Sequence, residues 1–253
     1  MNEYMVLGEL YDCLNSDMDY PKLCQYIIQI FEKYGNHVEL VLDLGCGTGE
    51  LVLELLKHGY DLIGLDNSPI MLQKAVEKTE AYRDRALFIN QDMLDFELYG
   101  TVDAIVSTMD VVNHVLNKRD LKKIFQNVYH YLNYDGLFIF DINTEYKLKK
   151  IIGNNIFTGE TNEINYIWEN NIGQSLDTID FNFTFFVSEG DLYRKYQESY
   201  TERAYRVADL EKMLIDCGFE LLGIFDERTF QSPDSKAKRV FFVAKKIDNS
   251  SSI

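Results

Sequence analysis

The chain has 253 residues, 46% of them hydrophobic and 26% charged, with 3 Pro and 15 Gly; these values exclude a low-complexity or fibrous chain and suit one core of ordinary size. A formal net charge of −16 repels polyphosphate, so a nucleic-acid partner is disfavoured and would need a local basic patch. Cys13, Cys24, Cys46 and Cys217 show no CxxC spacing, Lys22 is the first basic residue, and no apolar run nears the ~20 residues that span a bilayer; the expectation is a cytoplasmic chain with reduced thiols, no zinc site, no leader and no membrane segment.

In chain order, Leu23, Ile27, Ile30 and Phe31 recur at helical spacing and predict an amphipathic helix over 21–34. From Val41 onward, short apolar strands alternate with helical patterns, which predicts a parallel sheet with crossover helices. Strands are expected at 38–44, 61–66, 86–90, 102–108 and 137–141. Leu51, Val52, Leu55 and Leu56 form the face of the first crossover helix, and Gly59 can take the left-handed position after it. The second has Ser68 as cap and Pro69 at the first helical position, where a missing N–H costs nothing; Met71, Leu72, Ala75 and Val76 are expected to face inward. Another helix shows Leu121, Ile124, Phe125, Val128 and Leu132 and is stopped by residues 133–136.

The pattern changes over residues 143–206. Ile179, Phe181, Phe183, Phe185 and Val187 alternate with Asp180, Asn182, Thr184, Phe186 and Ser188, the period of a strand with one buried face. A turn at Gly190 and a Tyr-rich return strand over 193–201 follow, and 165–169 reads as a further strand ending in a turn at Asn170 and Asn171. This is an antiparallel insertion, as compatible with burial on the main sheet or a dimer contact as with a lid over the site. A helix stopped near Gly218 and strands over 219–225 and 240–245 complete one domain over 1–247, with a frayed tail at 248–253.

Three glycines, Gly45, Gly47 and Gly49, fall where a strand turns into a helix, so the backbone can approach a ligand closely and present the positive helix end to it. A dinucleotide fingerprint requires its third glycine one residue later, where Glu50 stands. A carboxylate there would repel a pyrophosphate but not an ammonium or a sulfonium. Asp66 ends the second strand, where a carboxylate can accept both hydroxyls of a ribose. Asp92, at the end of the third, could accept from an adenine amino group or serve only as a cap.

The stretches VLDLGCGTG at 41–49, LIGLDNSPIML at 62–72 and NQDM at 90–93 together resemble the class I S-adenosylmethionine-dependent methyltransferases. The resemblance implies an α/β fold with a seven-stranded, mostly parallel sheet in the order 3-2-1-4-5-7-6, its last strand antiparallel. It also implies S-adenosylmethionine as cofactor, with Gly45 and Gly47 against the methionine part, Asp66 at the ribose and Asp92 and Met93 at the adenine; Asp43, Cys46, Asn67, Met71, Gln91 and Met109 are further candidate cofactor-binding residues. MDVVNH at 109–114 and FIFDINT at 138–144 further resemble a bacterial branch whose relatives include amino-sugar N-methyltransferases and which carries an antiparallel insertion between strand 5 and the next helix. Within that branch, Tyr11 and Tyr20 match an N-terminal segment, here residues 1–36, that caps the cofactor.

Asp110 and His114 follow the fourth strand at its carboxyl end, where open α/β sheets bind ligands, and are the candidate catalytic residues. His114 could instead be a solvated or core imidazole. Cys46 reads as a small loop filler, since nothing nearby marks an activated thiolate. His37, His58 and His130 have no ligand spacing, so no metal is assigned. The reading is a methyltransferase for a small-molecule acceptor, at nitrogen or oxygen, acting as a monomer or homodimer. A tRNA or protein methyltransferase and a non-catalytic adenosyl-ligand-binding module stay open.

Overall fold

A computed structural model of the protein describes residues 18–160, 164–173, 175 and 177–247. Tyr11, Cys13 and the expected tail at 248–253 lie outside the described residues. Helix α1 (Tyr20–Tyr34) begins after Asp19, whose carboxylate accepts from the Lys22 amide, and carries Pro21 in its first turn. β1 (Leu40–Leu44), α2 (Glu50–Lys57), β2 (Asp61–Asp66), α3 (Pro69–Lys78) and β3 (Ala86–Asn90) are successive crossovers, followed by β4 (Val102–Ser107), α4 (Lys118–Tyr131) and β5 (Leu132–Asn143). Ser68 caps α3 by accepting from the Met71 amide at 3.4 Å, and Gly59, after α2, has φ +99°. Val76 does not face inward: it is 47% exposed, about 100° round from Ala75 and past the narrow stripe of Leu72 and Ala75 that α3 buries.

Side chains alternate along a strand, so a central strand apolar at every position must be covered on both faces. Leu42, Leu44, Ile105, Phe138 and Phe140 point to one face and pack with Leu121, Ile124 and Phe125 of α4. Val41, Ala104, Val106, Leu137 and Ile139 point to the other and pack with Leu23, Ile27 and Ile30 of α1 and Leu51, Val52 and Leu55 of α2. Helices therefore sandwich the sheet. β5 pairs with β4 through a break: Val102 opposes Leu132, while Ala104 opposes Leu137. Residues 133–136 bulge between these two pairings, with Asp135 at φ +64°, which is where the sequence places the end of the helix.

After β5 the chain makes a π-helical turn (Lys147–Ile152) and enters a separate four-stranded sheet: β6 (Ile156–Glu160), β7 (Ile164–Ile172), β8 (Thr178–Glu189) and β9 (Leu192–Arg203), paired in that order and all antiparallel. Ile179, Phe181, Phe183 and Phe185 bury one face of β8. The π-helical turn and β6 go beyond the sequence reading, because β6 is a short edge strand with no residue fully buried. Asn170 and Asn171 do not turn; they continue β7 to Ile172. Asn170 is buried; its backbone and side-chain amides both donate to the Asn155 carbonyl, while its Oδ1 has no partner among the described residues.

The chain returns to the main sheet through α5 (Val207–Asp216), β10 (Phe219–Asp226) and β11 (Arg239–Lys246). The main sheet runs β3-β2-β1-β4-β5-β11-β10, and β11 is antiparallel to both neighbours. This is the expected order, with the insertion between the fifth strand and the helix that follows. No helix among the described residues is long and apolar enough to cross a membrane.

Candidate active site

The loop after β1 has Gly45 at φ +84°, Gly47 at +52° and Gly49 at +76°. Gly45 is demanded twice, since a Cβ on it would also lie 2.7 Å from a Val111 methyl. The Gly45 and Cys46 amides donate to the Leu65 carbonyl at 2.8 and 3.0 Å, and the Gly47 amide donates to Asp66 Oδ2 at 2.9 Å. The amides of residues 45–47 are thus spent on the end of β2, so this part of the loop does not present donors to a ligand. A loop whose donors are spent suits a cationic ligand better than a phosphate. Asp66 Oδ1 also accepts from the Ser68 amide at 2.9 Å. An ionised carboxylate has about four acceptor sites, so Asp66 can brace the loop and still accept from a ribose.

A cleft of about 1090 Å³ opens over these strand ends. β1 and its loop contribute Gly45 and Gly47; β2 and α3 contribute Asp66, Asn67 and Met71; the end of β3 contributes Gln91, Asp92 and Met93; and the turn after β4 contributes Met109 and His114. Asp92 is both a wall and a cap, because Oδ1 accepts from the Leu94 amide at 2.8 Å. An adjoining hollow shares Gly45 and Met109 with the cleft and is lined by Tyr20, Asp43 and Cys46. Burial, then the charge of Asp66, pushes the Asp43 carboxyl up to about 7. Burial, reinforced by Asp43 and Asp66, pushes the Cys46 thiol up as well, so it is no nucleophile.

The turn after β4 holds two consecutive non-glycine residues in the left-handed region, Met109 at φ +62° and Asp110 at +59°. Such residues persist only where their surroundings hold them. Asp141, on β5, accepts from the Met109 amide at 3.2 Å and the Asp110 amide at 2.7 Å. Arg239, the first residue of β11, donates to Asp141 at 2.7 Å, to the Asp110 carboxylate and to Asn143 Oδ1 at 3.2 Å. Burial opposes the Arg239 charge, but Asp141 and Asp110 outweigh it and hold the guanidinium above its ordinary value. Burial pulls the Asp141 carboxyl upward, against the pull of Arg239.

The sequence nominates Asp110 as a catalytic group. The structure places it beside the cleft with its carboxylate engaged by Arg239, so it is not a free base in this arrangement. His114 does line the cleft and is exposed. Asn113 is fully buried and structural: its Nδ2 donates to the carbonyls of Asn143 at 3.1 Å and Arg203 at 2.8 Å, and its Oδ1 accepts from the Asn143 amide at 2.9 Å. The sequence reading misses Arg239, Lys147 and Glu202. Glu202, on β9, is 1% exposed, and burial together with the Asp110 charge pushes its carboxyl up to about 8. Burial lowers the Lys147 ammonium. Donor atoms of Asp110, His114 and Glu202 lie within 4.8 Å of one another, close enough to surround a cation. Histidine spacing could not reveal that group, because Glu202 comes from the inserted sheet.

Residues 41–136 match the family model described as a methyltransferase domain. The "Putative methyltransferase" of Geobacillus sp. (strain WCH70) is 32% identical over 93% of this chain and 96% of its own. The crystal structure of an S-adenosylmethionine-dependent methyltransferase from Clostridium acetobutylicum superposes with a TM-score of 0.88, at 31% identity over 98% of this chain and 100% of that one. A sugar N-methyltransferase from Streptoalloteichus sp. shares the fold, with a TM-score of 0.78 at 18% identity over 94% of this chain and 93% of its own. Full-length relatives of that kind, on strand ends that gather the glycine loop, Asp66 and Asp92 around one cleft, make this chain a member of the S-adenosylmethionine-dependent methyltransferase family.

Proposed function

We propose that the enzyme methylates a small molecule, at nitrogen or oxygen, inside the cleft described above. One observation carries this reading. The cleft extends from the adenine side at Gln91 and Asp92 past Met109 to His114, Leu116 and Asp120, and its volume is just above the ~300–1,000 Å³ usual for small-molecule sites. Donor and a small acceptor fit end to end in such a space. The relatives that share the fold include a sugar N-methyltransferase, and the net charge of −16 disfavours an RNA acceptor.

In this reading Asp66 and Asn67 hold the ribose, Met71 and Asp92–Met93 the adenine, and Asp43, Gly45, Cys46 and Gly47 the methionine end. Tyr20, at the start of α1, caps the methionine end, and the inserted sheet β6–β9 forms the roof on the acceptor side. Bound S-adenosylmethionine supplies a methyl carbon activated by its sulfonium; the carbon–sulfur bond breaks as the bond to the acceptor forms, and S-adenosylhomocysteine leaves. The protein's part is alignment and exclusion of water. His114 receives the proton that the acceptor loses. Free thiols at Cys24, Cys46 and Cys217 fit a reducing cytoplasm.

The test follows S-adenosylhomocysteine release over amines, amino sugars, carboxylates and phenols, with bulk tRNA and protein as further arms. Turnover of a small acceptor is expected. Turnover of tRNA or protein alone would replace this reading, and S-adenosylhomocysteine binding without turnover of any acceptor would favour a binding module. His114→Ala is expected to lower turnover and alter its pH profile; an unchanged profile would remove the base assignment.

A further inference from the structure

Beside the cleft, three carboxylates (Asp110, Asp141 and Glu202) face two cations (Arg239 and Lys147). Arg239 is committed to Asp141 and Asp110. Lys147 Nζ donates to Asn143 Oδ1 at 2.7 Å rather than to an acid. Glu202 Oε2 accepts from Asn143 Nδ2 at 3.1 Å, and Glu202 forms no ion pair among the described residues. With every group ionised the cluster carries one negative charge in excess, and Glu202 is its one carboxylate without an ion pair, buried and within 4.8 Å of donor atoms of Asp110 and His114. The Tyr200 ring, two residues before Glu202 on the same strand, lies 5.1 Å from the His114 ring. Of this group His114 lines the cleft, so the group adjoins the cleft at its His114 end.

We propose that Glu202, carried in by the inserted sheet, anchors a positively charged amine of the acceptor, with Asp110 and the Tyr200 ring completing the seat and His114 flanking it at the edge of the cleft. This rests on the reading of the cleft as the place where donor and acceptor meet. A monocation closes the formal charge balance, whereas a divalent ion overshoots it. Burial and Asp110 hold the Glu202 carboxyl high, against the pull of Asn143, Lys147 and Arg239, so near neutrality the empty site keeps a proton on Glu202. An arriving ammonium takes that proton's place: Glu202 ionises, the proton passes to solvent, and the carboxylate pairs with the ammonium. Before methyl transfer, the ammonium passes one further proton to His114, which frees the lone pair that attacks the methyl carbon.

The test needs no natural acceptor. Sinefungin carries an amine where S-adenosylmethionine carries its reactive methyl, whereas S-adenosylhomocysteine carries nothing there. Calorimetry on the full chain at pH 7, in two buffers of different ionisation heat, is expected to show sinefungin releasing more protons than S-adenosylhomocysteine and binding about 10-fold more tightly, the mark of a new buried charge pair. In Glu202→Gln both excesses vanish while S-adenosylhomocysteine affinity stays. Should that variant fail to fold, the wild-type ratio of the two affinities, followed from pH 6 to 8, is expected to rise. An equal excess in Glu202→Gln, a flat ratio, or no excess with S-adenosylhomocysteine bound would overturn the proposal alone. If neither ligand binds, the cleft reading falls with it.

Discussion

Asp66 is the residue on which most of the candidate donor site converges. Its carboxylate braces the Gly47 and Ser68 amides before any ligand arrives. Asp66→Ala therefore removes two charge-assisted hydrogen bonds as well as the proposed ribose contact. At roughly 1.5–3 kcal/mol for a hydrogen bond to a charged group, S-adenosylhomocysteine affinity is expected to fall by about 10-fold to 150-fold; unchanged affinity in calorimetry would remove the ribose assignment. Arg239 has a different importance. Arg239→Met leaves Asp141, which is 1% exposed, as an uncompensated buried charge, and is expected to cost about 3–5 kcal/mol at pH 7. The difference from wild type should narrow toward pH 4 as the stranded carboxyl takes a proton. Urea unfolding at both pH values reads this, and a constant difference would show that Asp141 is not the group left charged.

Glu202 adds a pH dependence whose sign follows from its raised folded value. Its carboxyl titrates at 4.5 when unperturbed and at about 8 in the fold, so the fold binds the proton more tightly than the unfolded chain does. The stability this contributes is full below about 4.5 and is lost as pH rises through about 8. Asp43, raised from 3.8 to about 7, acts with the same sign in a lower window. Glu202→Gln, neutral at every pH, is expected to remove the Glu202 share of the decline between about pH 4.5 and 8, leaving below about pH 7 only the slope due to Asp43. The effect is on the order of 2–4 kcal/mol. Urea unfolding of both proteins from pH 4.5 to 8.5 checks it, and parallel profiles would place the titration elsewhere.

Among the elements, α1 and the strand–helix alternation of the main sheet were legible because each element announces itself locally. β2 and β3 fall on the expected residues because each is a short apolar run bounded by polar residues, and α3 is marked by Ser68 and Pro69. The glycine loop, Asp66 and Asp92 were legible for the same reason, each being fixed by the strand it ends. The charge cluster was not. Asp110, Asp141, Lys147, Glu202 and Arg239 come from separate strands and turns, and only tertiary folding brings them together. The inserted sheet has its own core, in which Trp168 stacks on Phe181 and Phe183, and Phe181 on Tyr200. Phe181→Ala should cost about 3–5 kcal/mol and loosen this sheet first. Faster amide exchange over β6–β9, with S-adenosylhomocysteine affinity kept within about 2-fold because no described residue of β6–β9 lines the cleft, would separate the inserted sheet from the candidate donor site. Equal exchange in both sheets would mean that they open as one unit.

At the scale of the molecule, the donor site is a seam rather than a pocket within one element. The cleft joins the ends of β1, β2, β3 and β4, and Gly45 packs against Val111 so that the donor loop touches the turn carrying His114. A ligand bridging four strand ends binds only the folded chain and must stabilise it by mass action. At 100 times its dissociation constant, S-adenosylhomocysteine is expected to add about 2.7 kcal/mol, which for a chain of this length raises the melting temperature by about 5–10 °C. A nicotinamide dinucleotide should leave it unmoved, because the amides of residues 45–47 already serve β2 and Glu50 stands where that fingerprint has its third glycine. A thermal melt with each ligand reads the contrast directly. Equal shifts would mean that the loop accepts pyrophosphate after all, and that the spent amides rearrange on binding.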